Sequence, residues 1–158
     1  MTWDEYVEVS TSVDYMVLAT ADEHGSPWAS PVFFRGDDAH DLLWVSSPSS
    51  RHSLNIAARP QVAATIFDST VPVGQARAVY VAGTAEQLPD SAADAVVATL
   101  NRGLPEGKHL DADELRGDGV IRGYRLAVAD RFLLVRGSDP RTTDPVDSRI
   151  PVPPPPGR

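Results

Sequence analysis

Two apolar, β-rich runs at 13–20 and 28–34 flank the polar segment Asp22-Glu-His-Gly-Ser-Pro27. Gly25 accepts the positive φ of a tight turn and Pro27 fixes its own φ, so the pattern predicts a β-hairpin. A third apolar run, Leu42-Leu-Trp-Val45, leads into Ser46-Ser-Pro-Ser-Ser-Arg-His52. That hydroxyl-rich, basic segment opens a helical pattern that ends at Arg59-Pro60, because proline disfavours helical geometry in the residue before it. Free N–H groups at a helix start, several hydroxyls, an Arg and a His together suit an anion, most naturally a phosphate. The ligand expected from these residues is therefore phosphorylated, although an N-capped surface helix fits the same pattern.

The rest of the chain reads as more strands than helices. Residues 2–12 suit a short amphipathic helix with Thr2 at its start. Residues 61–67 form a β-branched run, 68–74 a turn, and 76–88 a long strand in which Gly83 suggests a bulge or a close backbone approach. Pro89-Asp-Ser91 is expected to cap an Ala-rich helix over 92–101, and the polar stretch 102–119 to hold one short turn at 111–115. Two further strands are expected at 120–126 and 131–135, separated by Ala127-Val-Ala-Asp130. His40 is expected in solvent, on a polar loop. About six or seven antiparallel strands in a Greek-key-like meander with a few short helices predict a mainly β, split or partly closed barrel. The expected division is a barrel domain over 1–137 and an extended, Pro-rich tail over 138–158.

Composition excludes several classes of function. The chain of 158 residues has no cysteine, so disulfides, thiolate metal sites and Cys nucleophiles are out. His24, His40, His52 and His109 lack metal-ligand spacing, so no metal is expected. A net charge of -8 argues against a nucleic-acid surface. No window approaches the roughly 20 apolar residues of a membrane span. The acidic start Met1-Thr-Trp-Asp-Glu lacks the basic region of a signal peptide, so a cytoplasmic, membrane-free protein is expected.

Four motifs, in order, resemble the pyridoxamine 5'-phosphate oxidase-like family of flavoproteins: Leu-Ala-Thr-Ala-Asp-Glu-His-Gly-Ser-Pro27, Ser30-Pro-Val-Phe-Phe34, Ser50-Arg-His-Ser-Leu-Asn-Ile-Ala-Ala-Arg-Pro60 and Val79-Tyr-Val-Ala-Gly-Thr-Ala-Glu-Gln-Leu88. The resemblance implies a homodimeric split barrel that holds FMN at the subunit interface, and an oxidoreductase activity carried by the flavin. It implies that Ser30, Pro31, Val32 and Phe33 lie along the flavin, and that Ser47, Ser50, Arg51 and His52 lie around its phosphate. Arg35 and Trp28 are the candidates for a small-molecule substrate; no catalytic side chain is assigned. Trp28, Phe33, Phe34 and Trp44 are candidates for a wall against the ring, with core packing as the plainer alternative.

Departures from the oxidase itself are equally informative. Ser30 stands where the oxidase has Arg, Ala78 where it has a flavin-touching Gln, and His52 where Lys is frequent. The segment after Leu88 lacks the oxidase's Tyr, Arg and Ser set, and the end of the chain has no Arg-x-His pair. The resemblance thus implies the fold and flavin site without the vitamin substrate. Alternatives within the same fold are a reductase using the deazaflavin coenzyme F-420, or a non-catalytic flavin-binding, haem-binding or stress-related module.

Overall fold

The computed structural model of the chain describes residues 2–155, so Met1 and residues 156–158, including the last proline of the expected tail, lie outside the described residues. Strands β1 (Tyr15–Ala21) and β2 (Pro27–Phe33) form the expected hairpin, in register from Tyr15↔Phe33 to Ala21↔Pro27. Gly25 takes a φ of 83° at the turn, and the Asp22 carboxylate accepts from the N–H groups of His24 and Ser26 at 2.9 Å each. Strand β2 carries Pro27 and Pro31, which cannot donate to a ladder, and it occupies an edge of the sheet.

The chain continues through the two-residue β3 (Arg35–Gly36), β4 (Leu42–Ser46), helix α2 (Arg51–Ala58), β5 (Gln61–Phe67) and β6 (Ala78–Gln87), following an N-terminal helix α1 (Thr2–Ser10). Helix α3 (Ala93–Leu100), strand β7 (Arg122–Val135) and strand β8 (Ser148–Pro151) complete it. The antiparallel order is β2-β1-β5-β6-β7-β4-β3, with β8 also paired to β7. Strands β2 and β3 stand at opposite ends of that order, yet only Phe34 separates them in sequence. The sheet must therefore curl until its ends approach, which makes a split barrel with Phe34 buried at the seam.

Inside the curl lie Met16, Leu18, Trp44, Ile66, Val79, Tyr124, Leu126 and Leu133, each at most 2% exposed. Helix α1 closes this core with Tyr6 and Val9, and α2 with Ile56. A second cluster, Leu43, Val96, Leu100 and Leu115, packs α3 onto the other face of β4, which explains why Leu42, Leu43 and Trp44 are buried in succession.

Several expectations are corrected. Residues Asp90 and Ser91 do not cap α3: a 3-10 turn over Asp90–Ala92 leads into it, and the Asp90 carboxylate instead accepts from Gly117 N–H and pairs with Arg122. The two strands expected around 127–130 are one continuous strand. At this point the β6–β7 register slips, from Ala82↔Asp130 to Gly83↔Val128, leaving Ala129 as the extra residue of a bulge. Gly83 permits the slip, since a Cβ there would stand 2.0 Å from the Ala127 carbonyl oxygen. His40 is only half-exposed, edge-on to Trp3 at 4.9 Å. Within the expected tail the chain turns around Asp139, where Asp139 N–H donates to the Arg136 carbonyl and Thr142 N–H to that of Asp139, and then Ser148–Pro151 joins the sheet and Val152 is buried, bringing the strands to eight. Among the described residues no helix is long and apolar enough to cross a membrane.

Candidate functional site

The loop between β4 and α2 turns on its own hydroxyls. Ser49 N–H donates to Ser47 Oγ at 3.2 Å, and the two hydroxyls lie 2.9 Å apart. Ser50, in an extended conformation, is the N-cap of α2 and accepts from Ser53 N–H through its side chain. The first N–H groups of α2 have no partner within the helix and point toward the same loop. Helix α2 is fixed to the hairpin at the far side, where buried Asn55 donates to buried Thr20 at 3.0 Å.

Arg51, the first residue of α2, reaches over the hairpin. Its guanidinium stands 5.6 Å from the centre of the Trp28 ring and 3.6 Å from Asp22 Oδ2. The side chain remains 50% exposed, so its donors are accessible to a ligand. The Asp22 carboxyl is held below the usual carboxylate range, chiefly by the Ser26 N–H it accepts, and is therefore anionic at neutral pH. Asp22 was not among the sequence candidates; its place at the head of an Asp-Glu-His-Gly turn is the signal for it.

His52 has a different setting from that of a surface cation. It is 9% exposed, and its Nε2 lies against the Ser46 hydroxyl and 3.3 Å from that of Ser50. Burial lowers its pKa below the ordinary histidine value, so the ring is uncharged at neutral pH. A histidine depressed in the folded state binds fewer protons than in the unfolded chain, so its contribution to stability is present above about pH 6.5 and is lost as the pH falls through the folded value. Urea midpoints measured at pH 7.5 and 5 should accordingly fall more for the native chain than for His52→Asn. Equal falls would show that His52 carries no such coupling.

Strand β2 lays out the other candidates in one line. Ser30 is half-buried opposite Leu18, Pro31 is exposed, Val32 is buried and Phe33 is half-buried against Tyr15. As an edge strand, β2 offers one side of its backbone without a strand partner among the described residues. The structure thus brings Trp28, Arg51, Ser47, Ser50 and His52 to one end of the hairpin. Arg35 is elsewhere. It stands beyond the opposite end of β2, seven residues from Trp28 and thus roughly 20 Å along the strand. There it pairs with Asp14 at 2.9 Å and stacks on Phe33 at 4.6 Å, so within one copy of the chain Trp28 and Arg35 do not line one pocket. Of the aromatic candidates, Trp44 and Phe34 are core residues, at 0% and 3% exposure, and cannot touch a ligand ring.

The outer face of the curled sheet is apolar. Cross-strand partners form one row, Pro31, Val17, Thr65, Tyr80 and Phe132, and beside it a row of Ala29, Ala19, Ala63 and Ala82. A shallow depression of about 860 Å³ lies on this face, bordered by Leu134 and by Arg149 of β8.

Sequence and fold together define the class. The family model for pyridoxamine 5'-phosphate oxidase matches residues 2–113, and the chain belongs to that family. A pyridoxine/pyridoxamine 5'-phosphate oxidase from Cupriavidus necator is 37% identical over 119 residues, 74% of this chain and 54% of that protein. The chain spans about half the length of the curated relatives it matches. Among solved structures, a heme-binding protein from Mycobacterium smegmatis superposes with a TM-score of 0.70 at 19% identity, covering 96% of this chain and 58% of the other. An F-420 reductase superposes with a TM-score of 0.60 at 20% identity, covering 80% and 94%. At such identities these likenesses concern the fold, and they agree on a split barrel.

Proposed function

We propose that the chain is an FMN-dependent oxidoreductase, acting as a cytoplasmic homodimer on a small molecule other than the vitamin phosphate. The observation that carries this reading is the placement of Arg51, half-exposed and stacked on Trp28, at the start of α2 beside the free edge of β2. The donor set suits a phosphate: one guanidinium, the hydroxyl of Ser47 and the first N–H groups of a helix, with the Ser50 hydroxyl, which donates to Ser53 Oγ at 2.8 Å in its capping role, beside them. Bound there, FMN supplies the hydride and electron chemistry. The chain's own residues bind and orient it: Arg51 and the serines hold the phosphate, and the β2 backbone from Ser30 to Phe33 lies along the ring and ribityl chain. His52, buried and uncharged, fixes the hydroxyls of Ser46 and Ser50 rather than adding a second positive charge.

The apolar outer face supports the dimer. Tyr15 and Phe67 are 61% and 40% exposed and border the same rows, a surface that a second copy of this chain would cover. The substrate of the vitamin-salvage relatives is not supported. Helix α3 presents Asp94, Ala95 and Ala98 to solvent and no cation or tyrosine, and Ser30 stands where an Arg would be needed. FMN is favoured over deazaflavin because the Asp22 carboxylate beside Arg51 opposes a long polyanionic tail.

An absorption spectrum of the purified protein, with fluorescence titrations of FMN and of coenzyme F-420, tests the reading. A yellow protein, or saturable quenching by FMN with weaker binding of the deazaflavin, is the expected result. Preference for the deazaflavin would move the chain to the reductase class, a Soret band would move it to haem binding, and no binding of any of them would overturn the cofactor site.

A further inference from the structure

We infer that Asp22 is a specificity-determining residue of the phosphate site, one that partly neutralises Arg51 and so limits the negative charge the site accepts; this rests on the flavin reading above. The carboxylate is rigid. Its Oδ1 is held by two backbone N–H groups, those of His24 and Ser26, and the Asp22 N–H closes the turn on the Ser26 carbonyl at 3.1 Å. Arg59, from the end of α2, donates to the carbonyls of Asp22 and Glu23 and clamps the turn against the helix. Oδ2 is thereby set 3.6 Å from Arg51, close enough for charge compensation but longer than a hydrogen bond, which leaves the guanidinium fork free for a second anion.

The other charged groups around Arg51 do not offset this. His52 is buried among hydroxyls, Arg59 is turned toward the carbonyls of the hairpin, and Glu23 and His24 pair with each other at 3.6 Å in solvent. In direct contact at the helix start stand one positive and one negative side chain, Arg51 and Asp22, while Arg59 and Glu23 on the hairpin turn add one charge of each sign. A phosphate monoester brings about -1.5 to -2 at neutral pH. Such an ion meets Arg51 and is repelled by Asp22, so the chain is built for a weakly held, exchangeable phosphate and against longer polyanions.

Asp22→Asn tests this, because Asn keeps the turn-forming carbonyl while removing the charge. FMN should bind about three- to tenfold more tightly to the variant, the effect of an exposed ion pair scaled by nearly two phosphate charges. Riboflavin, which lacks the phosphate, should bind equally to both proteins, and the gain for FMN should shrink as salt is raised. Glu23→Gln, at a carboxylate that faces away to His24, should change FMN affinity less than about twofold. Weaker FMN binding to Asp22→Asn would make Asp22 a support for Arg51 and overturn the inference. An equal change for riboflavin, or an equal gain from Glu23→Gln, would overturn it as well. FMN binding to neither protein would overturn the flavin reading together with it, whereas FMN binding that Asp22→Asn leaves unchanged would overturn this inference alone.

Discussion

Trp44→Ala should destabilise the fold by about 3–5 kcal/mol, the range for emptying a large aromatic from a closed core. Trp44 is fully buried, pairs across the ladder with Tyr124, and stacks on it at 5.8 Å with the planes 16° apart. The Tyr124 hydroxyl is itself anchored to Gln87 of β6 at 3.1 Å, so the vacated volume would lie beneath three strands that cannot collapse independently. For a domain of this length the melting temperature should fall by on the order of 10 °C. Trp28→Ala provides the contrast. The same residue type at 47% exposure on the edge strand should cost under about 1 kcal/mol, because little apolar area leaves contact. Urea unfolding of both variants measures the difference. Equal losses would mean that Trp28 is covered in solution, as it would be if a second copy packs on it.

Strand β4 connects that core to the site. Trp44 lies two residues before Ser46, whose hydroxyl meets His52, and the phosphate loop begins immediately after. A residue chosen by hydrophobic packing thus sets the register of a polar cluster. The cluster's hydroxyls then receive His52, and burial there keeps the ring uncharged.

The parts of this arrangement that were legible in the sequence are those governed by local backbone chemistry. The hairpin followed from Gly25 and Pro27, the start of α2 from Ser50, and the bulge from Gly83, each of which acts through its own φ or side chain. Parts decided by distant partners were not legible. Residues 127–130 look like a break because they include the extra residue of a bulge, and only the opposing Gly83 backbone keeps them extended. The strand in the tail exists because β7 runs 14 residues, so β4 pairs with its first part and leaves the same edge of its second part, opposite β6, open for Ser148–Pro151. His52 reads as a phosphate contact next to Arg51, yet helical geometry turns adjacent side chains about 100° apart, and one faces solvent while the other faces Ser46. Arg35 follows the site motif in sequence by five residues after Ser30, but an extended strand carries it to the far end of the hairpin.

Arg51→Ala should weaken FMN binding by about 1.5–3 kcal/mol, roughly 10- to 150-fold, if the guanidinium holds the phosphate through charge-assisted bonds. The fold should be almost indifferent to the change. The side chain is half-exposed, and its ion pair with Asp22 at 3.6 Å is a solvent-screened contact of the kind that contributes little to stability. Loss of affinity with an unchanged melting temperature therefore separates a ligand contact from a structural one. Riboflavin binding should fall far less, since only stacking order at Trp28 is disturbed. Arg51→Lys refines the assignment: a lysine keeps the charge but lacks the planar fork and stacks less well on the indole, so its affinity for FMN should fall between those of the native protein and Arg51→Ala. An unchanged dissociation constant in Arg51→Ala would place the phosphate away from the start of α2. Since His52 is buried and Arg59 is committed to the hairpin turn, no other cation on this helix could then hold it, and a site on the apolar outer face or in the partner subunit would have to be sought.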